Sequence, residues 1–151
     1  MVIEELTAEA FAPFGQVIDL SADRAFEIND GFTTRHHALA QVSSDADVIL
    51  SIFEGRPRPL SIAMLERHPK GSQAFMPLDA RDWLAVVAET PAPDALRAFR
   101  CRGTQGLQYA PGVWHHPLLV LDHAQRFLVV DRDGPGDNLE EVFFEPVRLD
   151  G

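Results

Sequence analysis

Three observations predict a mainly β chain, built as a small barrel or sandwich. Apolar runs are short and recur at even spacing, eleven prolines and ten glycines punctuate them, and helical periodicity is scarce. Near the start, Thr7 can cap a short helix over residues 8–14. Val48-Ile49-Leu50-Ser51-Ile52-Phe53 and Leu84-Ala85-Val86-Val87-Ala88 then read as strands. Pro93-Asp94 can open a second helix that runs to Arg100, and both helices look peripheral. Leu118-Leu119-Val120-Leu121 and Phe127-Leu128-Val129-Val130 are further strands. Residues 131–138 hold the densest turn signal and read as a loop after a core strand. Asp131, at the end of that apolar strand, is placed to face a site at a barrel mouth.

With 151 residues and 46% hydrophobic content, the chain suits one domain over residues 1–151 with a substantial core. No run combines a basic start with a continuous apolar stretch, and none approaches the roughly 20 apolar residues of a membrane span. A cytoplasmic location is therefore expected. The formal net charge of −10 argues against nucleic acid or an anionic membrane as partner. A small anionic substrate stays open, because local arginines decide that case. Cys101 is the single cysteine, so an intramolecular disulfide and any multi-thiolate zinc site are ruled out. A metal would have to sit on His, Glu, Gln or Asp.

Two polar clusters carry the chemistry. In Pro111-Gly112-Val113-Trp114-His115-His116-Pro117, two imidazoles follow a Pro-Gly turn that can aim one of them into a barrel mouth. In Glu66-Arg67-His68-Pro69-Lys70-Gly71-Ser72-Gln73, Glu66 and His68 stand two apart, which puts both on one face of a strand. A turn at Lys70-Gly71 can return Gln73 to that face. Adding His115 or His116 gives two imidazoles, a carboxylate and an amide oxygen, a set that suits nickel, manganese, iron or zinc with positions left for substrate. The bland reading is a surface Glu66–Arg67 pair, a turn histidine at His68, and imidazoles bonded to backbone beside a buried Trp114. His36 and His37 would face opposite ways on a strand, so at most one reaches a shared pocket. His123 reads as a turn residue.

Nucleophilic catalysis finds little support. There is no GxSxG elbow, and Cys101 between Arg100 and Arg102 reads as an incidental cysteine on or near the surface. Gly103-Thr104-Gln105-Gly106 lacks the Lys and Ser or Thr of a phosphate loop.

The sequence from Glu66 to Phe75, followed by Val113-Trp114-His115-His116-Pro117-Leu118, closely resembles the ureidoglycolate lyase family. The likeness extends to Phe14-Gly15 with Val17-Ile18, to Ile28-Asn29-Asp30-Gly31 with Arg35 and His37, and to Phe127-Leu128, Asp131-Arg132 and Asp137-Asn138. The resemblance implies a cupin-like β-barrel of the double-stranded β-helix type with a few short peripheral helices. It also implies a homodimer that splits ureidoglycolate into glyoxylate and urea in allantoin and purine breakdown. Glu66 and His68 fall where many cupins carry an HxH pair, Gln73 where they carry a glutamate, and His115 on the histidine of the second cupin motif. A divalent metal on Glu66, His68, Gln73 and His115 is the expected cofactor, nickel first and manganese or zinc next. A metal-free site working by hydrogen bonds is the alternative.

Cleaving ureidoglycolate needs a base for the hydroxyl proton, a holder for the carboxylate and an acid for the departing urea nitrogen. His116 or Glu66 is expected as the proton acceptor, and Arg35 or Arg126 as the carboxylate holder. Lys70 is expected as a second cation that neutralises substrate or assists the leaving group. A non-catalytic module binding a small carboxylate and an ammonia-releasing ureidoglycolate hydrolase are the competing readings.

Overall fold

The computed structural model describes residues 1–149. In chain order its elements are β1 (Ile3–Glu5), α1 (Ala8–Phe11), β2 (Gly15–Ile18), β3 (Ala25–Ile28), β4 (Thr33–His36), β5 (Asp47–Gly55), β6 (Ser61–Arg67), β7 (Gln73–Pro77), β8 (Trp83–Ala88), β9 (Arg97–Cys101), β10 (Gly106–Tyr109), β11 (Trp114–His115), β12 (Leu119–Val120), β13 (Gln125–Asp133) and β14 (Glu140–Arg148). One sheet runs β1-β9-β8-β11-β6-β14, with β12 also paired to β8; a second runs β2-β10-β7-β13-β5, and β3 and β4 form a separate hairpin. The mainly β, cupin-like class expected from the sequence holds. Among the described residues no ladder joins the two large sheets, so the barrel takes the form of a sandwich.

Alternation along the strands explains the packing. Trp83, Ala85 and Val87 of β8 face the second sheet, where they meet Phe75, Leu107, Tyr109, Phe127 and Val129 in one buried cluster. Trp83 and Phe127 lie edge to face with centroids 5.0 Å apart. The one polar atom of the Trp83 ring is satisfied, since Nε1 donates to the Gln105 carbonyl at 3.1 Å. Leu84, Val86 and Ala88 point the other way into a second cluster with Ile62, Leu65, Ala98 and Trp114. Burial on both faces is why β8 reads as an unbroken apolar run.

The hairpin and loop regions refine the sequence reading. Thr7 caps α1 as expected, its Oγ1 accepting from Ala10 N at 3.1 Å. The expected helix over 93–100 does not form: Pro93–Ala95 makes a single 3-10 turn, and Arg97–Cys101 is the strand β9. β9 lies between β8 and β1, so ladder bonds on both sides override the local Pro-Asp start signal. Cys101 is likewise fully buried rather than near the surface, and burial pushes its thiol well up. The apolar run at 118–121 supplies only the two-residue β12, and β13 extends through Asp133 into the segment read as loop.

Phe127 is fully buried against Trp83 and Phe75. Phe127→Ala is expected to cost about 3–5 kcal/mol in urea unfolding, whereas Phe143→Ala, at a largely exposed position, stays within ~0.5 kcal/mol.

Candidate functional site

The site is assembled by one short strand and two tight loops. Ala110-Pro111-Gly112-Val113 closes with Val113 N donating to the Ala110 carbonyl at 3.2 Å, and Gly112 takes φ +78°. Proline second and a left-handed glycine third is the type II turn pattern. The same turn is tied to the first cluster, because Gly112 N donates to the His68 carbonyl at 2.9 Å. β11 then pairs with β6 so that His115 stands directly opposite Glu66.

Backbone carbonyls fix both imidazoles. His115 Nδ1 lies 3.1 Å from the Val113 carbonyl and His68 Nδ1 lies 2.9 Å from that of Asn138. A carbonyl only accepts, so each ring carries its proton on Nδ1 toward that partner. Each Nε2 is buried without a hydrogen-bond partner. They approach the Glu66 carboxylate at 3.5 Å from His115 and 3.9 Å from His68. The ligand atoms of Glu66, His68 and His115 all lie within 4.8 Å of one another. A carboxylate and two ring nitrogens thus converge with no donor among them, a set of groups that can hold a metal ion.

Neighbouring residues complete the site. Gln73 Nε2 donates to Asp131 Oδ2 at 3.0 Å, which fixes the amide and leaves Oε1 buried and unpaired. Gln73 faces Tyr109 across the β7–β10 ladder. The Tyr109 ring stacks on His115 with centroids 4.1 Å apart and planes 9° from parallel, and burial pushes its hydroxyl pKa up. Asn138 clamps the loop twice, through its carbonyl to His68 and through Oδ1, which accepts from Lys70 N at 2.8 Å. His116 donates from Nδ1 to the Pro117 carbonyl at 2.8 Å. Burial, with the positive charge of Arg58 adding to it, lowers the His116 pKa and keeps the ring neutral at pH 7.

A cavity of about 370 Å³ opens beside these groups, lined by Glu66, Gln73, Tyr109, His115 and His116 and, on its rim, by Glu54, Arg56 and Arg58. Such a volume suits a small ligand. Of the residues singled out in the sequence, Glu66, Gln73, His115 and His116 line it, His68 adjoins it through Glu66 and His115, and Asp131 reaches it through Gln73. Arg126 does not: its guanidinium is exposed and held by Asp79 at 2.7 Å. Arg35 lies exposed on the β3–β4 hairpin, outside the cavity wall. Lys70 directs its ammonium to the space beside Gly136. His36 Nδ1 accepts from Ser21 N, and His37 packs against Phe26, so neither histidine lines the cavity. Sequence reasoning missed Tyr109, Arg56 and Arg58. The Arg56-Pro57-Arg58-Pro59 alternation was the available signal for the last two.

The family model for ureidoglycolate lyase matches residues 1–150. The chain belongs to the ureidoglycolate lyase family. Named relatives within that family include the ureidoglycolate lyase of Stutzerimonas stutzeri, 51% identical over 152 residues that cover 95% of this chain and 89% of the relative. The ureidoglycolate lyase of Pseudomonas savastanoi pv. phaseolicola is 49% identical, covering 99% and 92% respectively. That of Brucella anthropi is 51% identical, covering 95% and 89%.

The donor set leads to a direct prediction. Calorimetry with nickel should show one tight site per chain. His68→Ala and His115→Ala should each weaken it by about 100-fold or more, while His123→Ala leaves it unchanged.

Proposed function

We propose that this protein is a carbon–nitrogen lyase that splits (S)-ureidoglycolate into glyoxylate and urea, a step in allantoin and purine breakdown. The observation that supports the chemistry is the convergence of the Glu66 carboxylate with the unpaired Nε2 atoms of His68 and His115 at the wall of a small cavity. Family membership over residues 1–150 supports the substrate.

The residues fit a divalent metal. Glu66, His68 and His115 would hold it with the unpaired oxygen of Gln73, nickel first among candidates and manganese or zinc next, and it would supply Lewis-acid polarisation of the substrate hydroxyl. Asp131 holds the Gln73 amide nitrogen, which leaves the amide oxygen buried and without a partner. Tyr109 stacks on His115 and holds that ring in plane. His116 is neutral, with Nδ1 committed to Pro117, so its Nε2 lone pair is free to take a proton on the cavity side.

The elimination balances without water. His116 Nε2 accepts the hydroxyl proton, the oxygen forms the carbonyl of glyoxylate, the carbon–nitrogen bond breaks with its electrons on nitrogen, and the imidazolium returns a proton to urea. Burial limits competing proton exchange with solvent at this ring, which is 3% exposed. A metal-free variant would keep the same products and place protons on the Glu66, His68 and His115 cluster instead.

A homodimer is part of the same reading. β5 is a nine-residue edge strand, and Val48, Leu50 and Ile52, alternating along it, are 45%, 71% and 58% exposed. Such an edge asks for a cover, and a second copy of the chain supplies one. The proposed setting is the cytoplasm, with no nucleic acid or membrane partner.

Racemic ureidoglycolate should yield glyoxylate and urea in equal amounts with no ammonia, and His116→Ala should lower kcat by about 10²- to 10⁴-fold. Ammonia in place of urea would point to a hydrolase, and no product at all to a binding module. Leu50→Asp combined with Ile52→Asp should shift the sedimentation coefficient from dimer to monomer.

A further inference from the structure

We propose that Arg56 and Arg58 on the cavity rim are the substrate-positioning residues that take the carboxylate of ureidoglycolate. The inference rests on the proposed lyase reading for the identity of the ligand, and on the distribution of positive charge for the site. The chain has thirteen Lys and Arg residues against twenty-three acids, so a small anion must find a local cation that is not already neutralised. Arg67, Arg97, Arg100, Arg102, Arg126 and Arg132 are each held by a carboxylate within 4 Å. Arg24 is spent on the Ala38 carbonyl, and Lys70 lies against Gly136. Of the cations left without a partner among the described residues, Arg56 and Arg58 are the two that line the cavity of Glu66, His115 and His116.

The local sequence suits them to this work. They alternate with Pro57 and Pro59 in the link between β5 and β6. Each proline fixes its own φ and drives the preceding residue into the extended region, so both arginines sit on a stiffened segment. A stiff rim reduces the entropy lost when a ligand is gripped. Guanidinium offers a planar fork that matches both oxygens of a carboxylate. Glu54 shares the rim, but its ladder partner is Arg126 on the neighbouring strand, and it makes no ion pair within 4 Å with Arg56 or Arg58.

The test uses calorimetry on the purified full-length chain with glycolate and its neutral analogue glycolamide as probes. Wild type should bind glycolate at least about tenfold more tightly than glycolamide, and R56Q/R58Q should erase that preference. R58K, which keeps the charge without the fork, should retain part of it. In turnover, KM for ureidoglycolate should rise about tenfold or more in the double variant while kcat changes less. Melting temperatures should match wild type, because both side chains are exposed and unpartnered. A double variant that keeps the glycolate preference, or a wild type without one, overturns the proposal. An arginine-dependent preference in a protein that releases no urea would sink the lyase reading and leave the carboxylate rim standing.

Discussion

Two backbone carbonyls govern the site. By accepting from Nδ1 of His115 and His68, Val113 and Asn138 determine which nitrogen of each ring is bare and where it points. Everything else in the cluster follows from that constraint. Glu66 is brought opposite His115 by the β6–β11 ladder, and the Gly112-to-His68 hydrogen bond keeps the second cluster against the first. The proline-glycine turn makes this geometry cheap, since its conformation is set before any tertiary contact forms. Unpaired, buried and mutually facing acceptors are costly in a folded protein, and their persistence here is the physical case for a bound cation.

Electrostatics separates the site from the rest of the surface. Half of the arginines are committed to nearby carboxylates and serve the framework: Arg97 with Glu4 and Arg102 with Glu5 fasten the edge strand β1 to β9. The rim arginines stand apart from that pattern. They place two guanidinium groups without an ion-pair partner beside Glu54 and Glu66 at the cavity, which is how the proposed carboxylate grip fits a protein of net charge −10.

The sequence makes some of this legible and hides the rest. β8 and β13 are readable because continuous apolar runs bounded by turn residues have few other uses. The nearness of Glu66 and His68 is readable because strand geometry places i and i+2 on one face. The 93–100 segment misleads because a helix start signal is local, whereas the pairing of β9 on both edges is a long-range fact. Arg126 looks like a site residue beside an apolar strand, yet only the fold reveals Asp79 waiting for it. Tyr109 carries no motif of its own, and its stacking on His115 arises from two strands of different sheets meeting at the cavity. The tautomers of His68 and His115 are equally invisible in sequence, since their partners are backbone oxygens that any residue would supply.

The central claim is that His68 and His115 present bare Nε2 atoms to a cation shared with Glu66. Nitrogen-15 spectra of the imidazole side chains, recorded with nickel's diamagnetic substitute zinc added, read this directly. The account predicts a proton on Nδ1 of both rings and Nε2 resonances displaced together by one equivalent of metal. A proton on Nε2 of either ring in the presence of the metal, or metal binding through Nδ1, would contradict it.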